Sequence, residues 1–123
     1  MIGYVTIGAA NFERSVGFYD ALLGSLGAKR LMELDGFVLF GKSVDDPCVA
    51  VVKPYDGKPQ SVGNGMMVAL RLDSNEAVDA FYAKALELGG TDEGAPGDRG
   101  GIFYAGYFRD LDGNKLNAFH VGS

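Results

Sequence analysis

Apolar residues recur at helical spacing in two stretches of the chain. In the first, Phe12, Val16, Tyr19, Leu23 and Leu26 share one helix face, with Asn11 as the N-cap and Gly24 and Gly27 as the stop. In the second, Val78, Phe81, Tyr82, Ala85 and Leu88 do the same, after a cap at Asp73 or Ser74 with Glu76 in the first turn, and before Gly89-Gly90. A short segment of alternating apolar and small residues precedes each helix, at 2–8 and 66–72, and predicts a strand. Three strands are predicted after the first helix, in AKRLMELD, GFVLFGK and PCVAVVKP, turning at Asp35-Gly36 and around Asp45-Asp46-Pro47. After the second helix the pattern predicts a short strand near Thr91, then IFYAGYFRD and NKLNAFHV around the Asp112-Gly113 turn.

The two halves repeat one another. Superimposing the Phe-Tyr pairs at Phe18 and Phe81 gives an offset of 63, which also matches Val5 to Val68, Glu13 to Glu76, Leu23 to Leu86, Gly27 to Gly90 and Tyr4 to Met67. One register that serves a strand, a helix and a helix stop indicates two copies of one supersecondary unit. Each half reads β-α-β-β-β, so the fold class is α+β. The tract PYDGKPQSVGNG, residues 54–65, holds turn formers without periodicity and joins module one (about 1–53) to module two (about 66–123) within a single 1–123 domain.

Charge and composition remove several function classes. A formal charge of −5 and the lack of a basic stripe disfavour nucleic acid. No apolar run approaches the roughly 20 residues of a membrane span, and the amino terminus lacks the pattern of a signal peptide, so no membrane partner is expected. A single cysteine, Cys48, excludes an intrachain disulfide and suits a reducing, cytoplasmic setting. The 19 glycines fit many tight turns between short strands.

With paired βαβββ modules, FERSVGFYDALLGSLGA in the first and DLDGNKLN between strands in the second, the chain resembles the vicinal oxygen chelate superfamily of glyoxalase I, bleomycin-resistance proteins, fosfomycin-resistance thiol transferases and extradiol dioxygenases. The resemblance implies modules related by a pseudo-two-fold, each curling its sheet into half of a cup, and a homodimer. Catalytic members of the family hold one divalent ion there, with ligands from the first strand of each module, usually His, and from the last strands, usually Glu. Those places fall on Tyr4, Met67, Asn117 and, by strand parity, Ala50. Neither imidazole nor carboxylate stands at any of them, so no metal and no other cofactor is expected. The implied function is binding of a small, partly apolar molecule, as in the bleomycin-resistance branch, in a cup lined by Tyr4, Thr6, Met67, Tyr107, Asn117 and Phe119. The rivals are a metal-dependent lyase or thiol transferase of the lactoylglutathione-lyase type, and an interaction module without a small ligand.

Two readings stay open for several of these residues. Tyr4 and Met67 serve either as ligand contacts or as core at the seam between modules, and Asn117 either orients a ligand or bonds to neighbouring backbone. Tyr107 shares strand parity with Phe103 and Ala105. His120, the only histidine, alternates away from Asn117 and Phe119. Cys48 follows the parity of Ala50 and reads as an inert buried thiol. Arg109 is expected to pair with Asp110 or Asp112. The tract DEGAPGDRGG, residues 92–101, reads as an exposed connection or a flap; its three acids argue against a phosphate cradle.

Overall fold

The structure is a computed structural model that describes residues 1–122. The chain divides into two units, Met1–Val62 and a second that begins at Gly63. The first holds β1 (Tyr4–Gly8), α1 (Phe12–Gly24), β2 (Lys29–Leu34), β3 (Phe37–Gly41) and β4 (Cys48–Val52), with sheet order β1-β4-β3-β2. The second holds β5 (Val68–Arg71), α2 (Asn75–Glu87), β6 (Thr91–Arg99), β7 (Phe103–Arg109) and β8 (Lys115–His120), with sheet order β5-β8-β7-β6. This is the βαβββ order twice, as the repeat predicts.

Both ends of the two helices stand 63 positions apart, so the repeat offset is a property of the fold as well as of the sequence. Each helix begins where a side-chain oxygen accepts from a free backbone N–H: Asn11 Oδ1 from Arg14 N at 3.1 Å, and Ser74 Oγ from Ala77 N at 3.0 Å. Of the two caps proposed for α2, Ser74 is the one used. The α2 exit is tightly determined. Gly89 takes a φ of +103°, Gly90 N donates to Ala85 O at 2.8 Å, and a Cβ on Gly90 would lie 2.8 Å from Ala85 O and 2.9 Å from Arg109 O.

In each unit the first strand runs parallel to the last, and the remaining pairs are antiparallel. Thr6 stands opposite Ala50, and Ala69 opposite Asn117. In the second unit Phe108, Leu116 and Ala118 are buried with Val78, Phe81 and Ala85 of α2. The Phe81 and Phe108 rings lie 6.0 Å apart, and each such buried side chain contributes about 1.5–3 kcal/mol. Tyr104 OH donates to Asp79 on α2 at 2.6 Å, so Tyr104 also points to the helix side. Strand alternation therefore turns Phe103, Ala105 and Tyr107, with their ladder partners Phe119 and Asn117, to the face remote from α2.

The tract 92–101 departs from its expectation. Most of it belongs to β6, nine residues paired antiparallel to β7, with register shifts between Asp92 and Gly94 and between Gly94 and Gly97. Glycines and Pro96 hide the two-residue period, but a bulged edge strand tolerates both. The adjoining turn, at Gly100 and Gly101, has two positive φ values. The segment 66–72 is also shorter as a strand than predicted, because the ladder starts at Val68 and leaves Met67 ahead of it. No helix among the described residues is long and apolar enough to cross a membrane.

Candidate functional site

Asn117 sits in the middle of β8 between two fully buried residues, Leu116 and Ala118, and is itself only 2% exposed. Among the described residues no donor reaches its buried Oδ1, so the backbone hydrogen bond expected on one reading is not made by this atom. An acceptor buried without a partner costs about 1–3 kcal/mol, which marks the position as one not optimised for stability. Its ladder neighbours on either side are Ala69 and Tyr107.

Tyr107 lies between two cations. The Arg99 guanidinium and the Lys115 ammonium each stand 5.4 Å from the centre of its ring, within cation–π range. One step along the same face, Phe103 and Phe119 meet edge to face with centroids 5.9 Å apart. Opposite Phe119 stands Arg71, exposed, at the end of β5. The second sheet thus brings Tyr107, Asn117 and Phe119 together as strand parity predicts, and adds Arg71, Arg99 and Lys115. The parity of Lys115 and Arg71 was readable in the sequence, whereas Arg99 enters only through the pairing of β6.

The first unit places its candidates differently. Tyr4 is 54% exposed, with its ring edge-on to Phe37 at 5.9 Å. Thr6 lines an open cavity of about 720 Å³ between the sheet and the connector, with Asp35, Lys53, Tyr55 and Gln60 among the other walls. Leu39, Cys48 and Ala50 form a buried cluster with Leu31, Phe37 and Val52 packed on it. Met67, near the start of the second unit, is 40% exposed.

Three further residues are settled by their contacts. The Cys48 thiol points at Asp46 O (3.1 Å) and Ser43 O (3.4 Å); burial, and then the Asp46 charge, push its pKa up, which suits an inert thiol. His120 Nδ1 lies 3.0 Å from Leu72 O, and the residue pairs with Tyr104, which points to the helix side. Arg109 does not pair with its sequence neighbours: it bonds Glu93 at 2.9 Å and donates to Gly113 O at 3.0 Å, because the β6 bulge carries Glu93 across to it. Asp110 is occupied by its own turn, accepting from Asp112 N and Asn114 N, each at 2.9 Å.

The donor set at the four places where relatives would bind an ion does not fit one. Ala50 is fully buried and offers no donor atom, Asn117 offers a neutral amide, Met67 a thioether and Tyr4 a phenol. Zinc, nickel, manganese and iron are held in proteins chiefly by imidazole nitrogen, carboxylate oxygen or thiolate sulfur, none of which these four residues offer. Among the described residues no three His, Cys, Asp or Glu side chains converge.

A family model described as Glyoxalase/Bleomycin resistance protein/Dioxygenase superfamily matches residues 1–118. The chain is similar to the crystal structure of a glyoxalase/bleomycin resistance protein from Albidiferax ferrireducens T118, at 35% identity and a TM-score of 0.90 with 99% of each chain covered. It shares its fold with a glyoxalase/bleomycin resistance protein/dioxygenase family enzyme from Burkholderia phytofirmans PsJN (18% identity, TM-score 0.79, 98% of each chain). It also shares it with lactoylglutathione lyase from Agrobacterium tumefaciens (17% identity, TM-score 0.70, 98% of this chain and 92% of that one). No curated protein matches the chain. With the βαβββ order present twice and the family model running through all but the last few residues, the chain belongs to the glyoxalase/bleomycin resistance protein/dioxygenase superfamily.

Proposed function

We propose that this protein binds a small, partly apolar molecule on the sheet face of the second unit that carries Asn117, without a resident metal ion. The observation that carries the reading is Asn117: a buried amide with an unmet acceptor at a place where a carboxylate ligand would serve a metal enzyme. Phe119 and Tyr107 supply apolar contact beside it, with Met67 just ahead of β5 in the same unit; Tyr4 and Thr6 are the corresponding candidates on the first sheet. A lyase or thiol transferase of the lactoylglutathione-lyase type needs an ion to polarise substrate oxygens and a base to move a proton. The residues at the mapped positions supply neither. We further propose that the protein works in the cytoplasm as a homodimer.

Elemental analysis of protein purified without chelators tests the metal-free reading, together with melting curves in nickel, zinc and manganese. An ion at 100 times its dissociation constant adds about 2.7 kcal/mol of stability, which a melting curve of a domain this size detects easily. No stoichiometric metal and no shift is the expected result. Near one metal per chain, lost on changing Asn117, would establish the enzyme reading instead. A thermal-shift screen of small molecules separates binder from interaction module.

A further inference from the structure

We propose that the face of the second sheet around Tyr107 and Asn117 recognises a small organic carboxylate that also carries a hydrogen-bond donor; this inference rests on the reading of the chain as a small-molecule binder and names its ligand class. The chain as a whole is acidic, yet Arg71, Arg99 and Lys115 share this face, and among the described residues none of the three has an ion-pair partner. Of the acids of β6, Glu93 is neutralised by Arg109, and Asp92 and Asp98 stand opposite Phe108 and Tyr104, whose side chains face α2, so their charges belong to the other side of the sheet. Asp92 accepts from Tyr82 OH (2.6 Å) and Gly94 N (2.9 Å), Glu93 pairs with Arg109, and Asp98 accepts from Gly101 N (3.0 Å). A patch of uncancelled cations on a half-buried face attracts an anion more strongly than the same charges do on an open surface.

Arg99 is held in place by the strand that carries it. Its side chain folds back along β6, its Nη2 donates to Ala95 O at 2.7 Å, and the guanidinium lies over the Tyr107 ring. A Cβ on Gly97 would come within 3.0 Å of Arg99 Nη1, and one on Gly94 within 3.5 Å of Nη2. The two glycines therefore leave the bed in which the guanidinium rests. A planar fork fixed by a ring on one side and a carbonyl at one nitrogen keeps other N–H groups for a carboxylate. Asn117 adds the second requirement, because its Oδ1 takes a donor and none of the described residues supplies one. The Phe103–Phe119 pair adds the apolar part of the ligand.

The test is calorimetry and ligand-observed NMR on the full chain with a panel of glycolate, lactate, mandelate and salicylate, each beside its methyl ester, and with phenylacetate as the partner of mandelate that lacks the hydroxyl. The expected result is that at least one hydroxy acid binds about tenfold more tightly than its ester, a preference of about 1.4 kcal/mol. Added salt should weaken the acid and leave the ester unchanged. R71Q and K115Q should each reduce the preference for acid over ester, and R71Q keeps the fold because Arg71 is exposed and, among the described residues, has no ion-pair partner. Asn117→Leu should remove the preference for mandelate over phenylacetate. Esters binding as tightly as acids would overturn the proposal while leaving a small-molecule binder. No binding by any acid overturns it as well, and the neutral compounds then decide the binder reading separately.

Discussion

Ala50 and Asn117 are structural counterparts: each stands in a parallel ladder opposite one of two residues, Thr6 and Ala69, that lie 63 positions apart. In one unit the position is a buried methyl within an apolar cluster, and in the other a buried amide with an unmet acceptor. The same place in the fold has been filled for packing in the first case, and at a cost to stability in the second.

That contrast predicts an unusual mutational result at two adjacent residues. Leu116→Ala empties a fully buried site and should cost about 2–5 kcal/mol. Asn117→Leu, which replaces the amide by an apolar side chain of similar size, should be neutral or stabilising by about 1 kcal/mol, because the unpaired acceptor disappears. Urea unfolding compares the two directly. A loss at Asn117→Leu comparable with that at Leu116→Ala would mean that the amide is satisfied in solution.

Introducing a carboxylate at the same place should not create a metal site. In Asn117→Glu one ligand of suitable type stands alone, with Ala50, Tyr4 and Met67 still lacking imidazole or carboxylate. The variant should melt lower than the parent, since it buries a charge, and nickel, zinc or manganese should not recover the loss. Stabilisation of the variant by any of the three ions would show that the remaining donors are better than their chemistry suggests.

Much of the fold was legible because its signals are local. Asn11 and Ser74 cap, Gly27 and Gly89-Gly90 stop, and one repeat offset carries both helices from end to end. The strand parity that grouped Tyr107, Asn117 and Phe119 is equally local. What escaped depends on pairing across strands. Strand β6 shows no period of its own, and its glycines make sense only once Arg99 is seen lying over them. Arg109 finds Glu93 only through a bulge, and the gathering of Arg71, Arg99 and Lys115 needs all four strands of the sheet in register.

Stability should respond to pH through the contact between α2 and β6. The hydrogen bond to Asp92 pushes the Tyr82 phenol up to about 12, with burial adding to it, and the same bond, helped by Gly94 N–H, holds the Asp92 carboxyl below its usual range. A raised phenol pKa means that the contribution is complete below pH 10 and is lost as pH rises from about 10 to about 12. A depressed carboxyl pKa means that it is present above the ordinary value of 3.8 and lost as pH falls through the folded value. Melting temperature against pH should therefore fall at both ends, and Tyr82→Phe should flatten both limbs. Tyr104, raised in the same direction by Asp79, leaves a residual alkaline fall that the double variant with Tyr104→Phe removes. Unchanged limbs in both variants would assign the pH dependence to other groups.

Two glycines should respond oppositely to the same substitution. Gly17 is exposed in the middle of α1 and an added Cβ meets nothing within 4 Å, so Gly17→Ala should stabilise by about 0.5–1 kcal/mol. At Gly90 the added carbon collides with two backbone carbonyls, Ala85 O and Arg109 O, which cannot swing aside as a flexible side chain does. Gly90→Ala should cost about 1–3 kcal/mol. Denaturant midpoints at constant slope measure both, and a neutral Gly90→Ala would show that the helix exit relaxes freely.

The final prediction concerns association. β1 ends one sheet and β5 ends the other, and beside them Ile2, Tyr4, Met66 and Met67 are all exposed apolar residues. Sheet edges flanked by such side chains are templates for further pairing, and proteins that leave them uncharged usually cover them. A second copy of the chain is the simplest cover, because a two-fold interface buries the same patch on both partners. Light scattering at micromolar concentration should therefore report twice the 13.0 kDa mass of one chain. Placing charge at the edge, with Ile2→Lys and Met66→Lys together, should shift the equilibrium to monomer while circular dichroism stays unchanged, since both side chains are exposed in the single chain. A wild-type monomer at that concentration, or a dimer indifferent to the two lysines, would place the cover elsewhere.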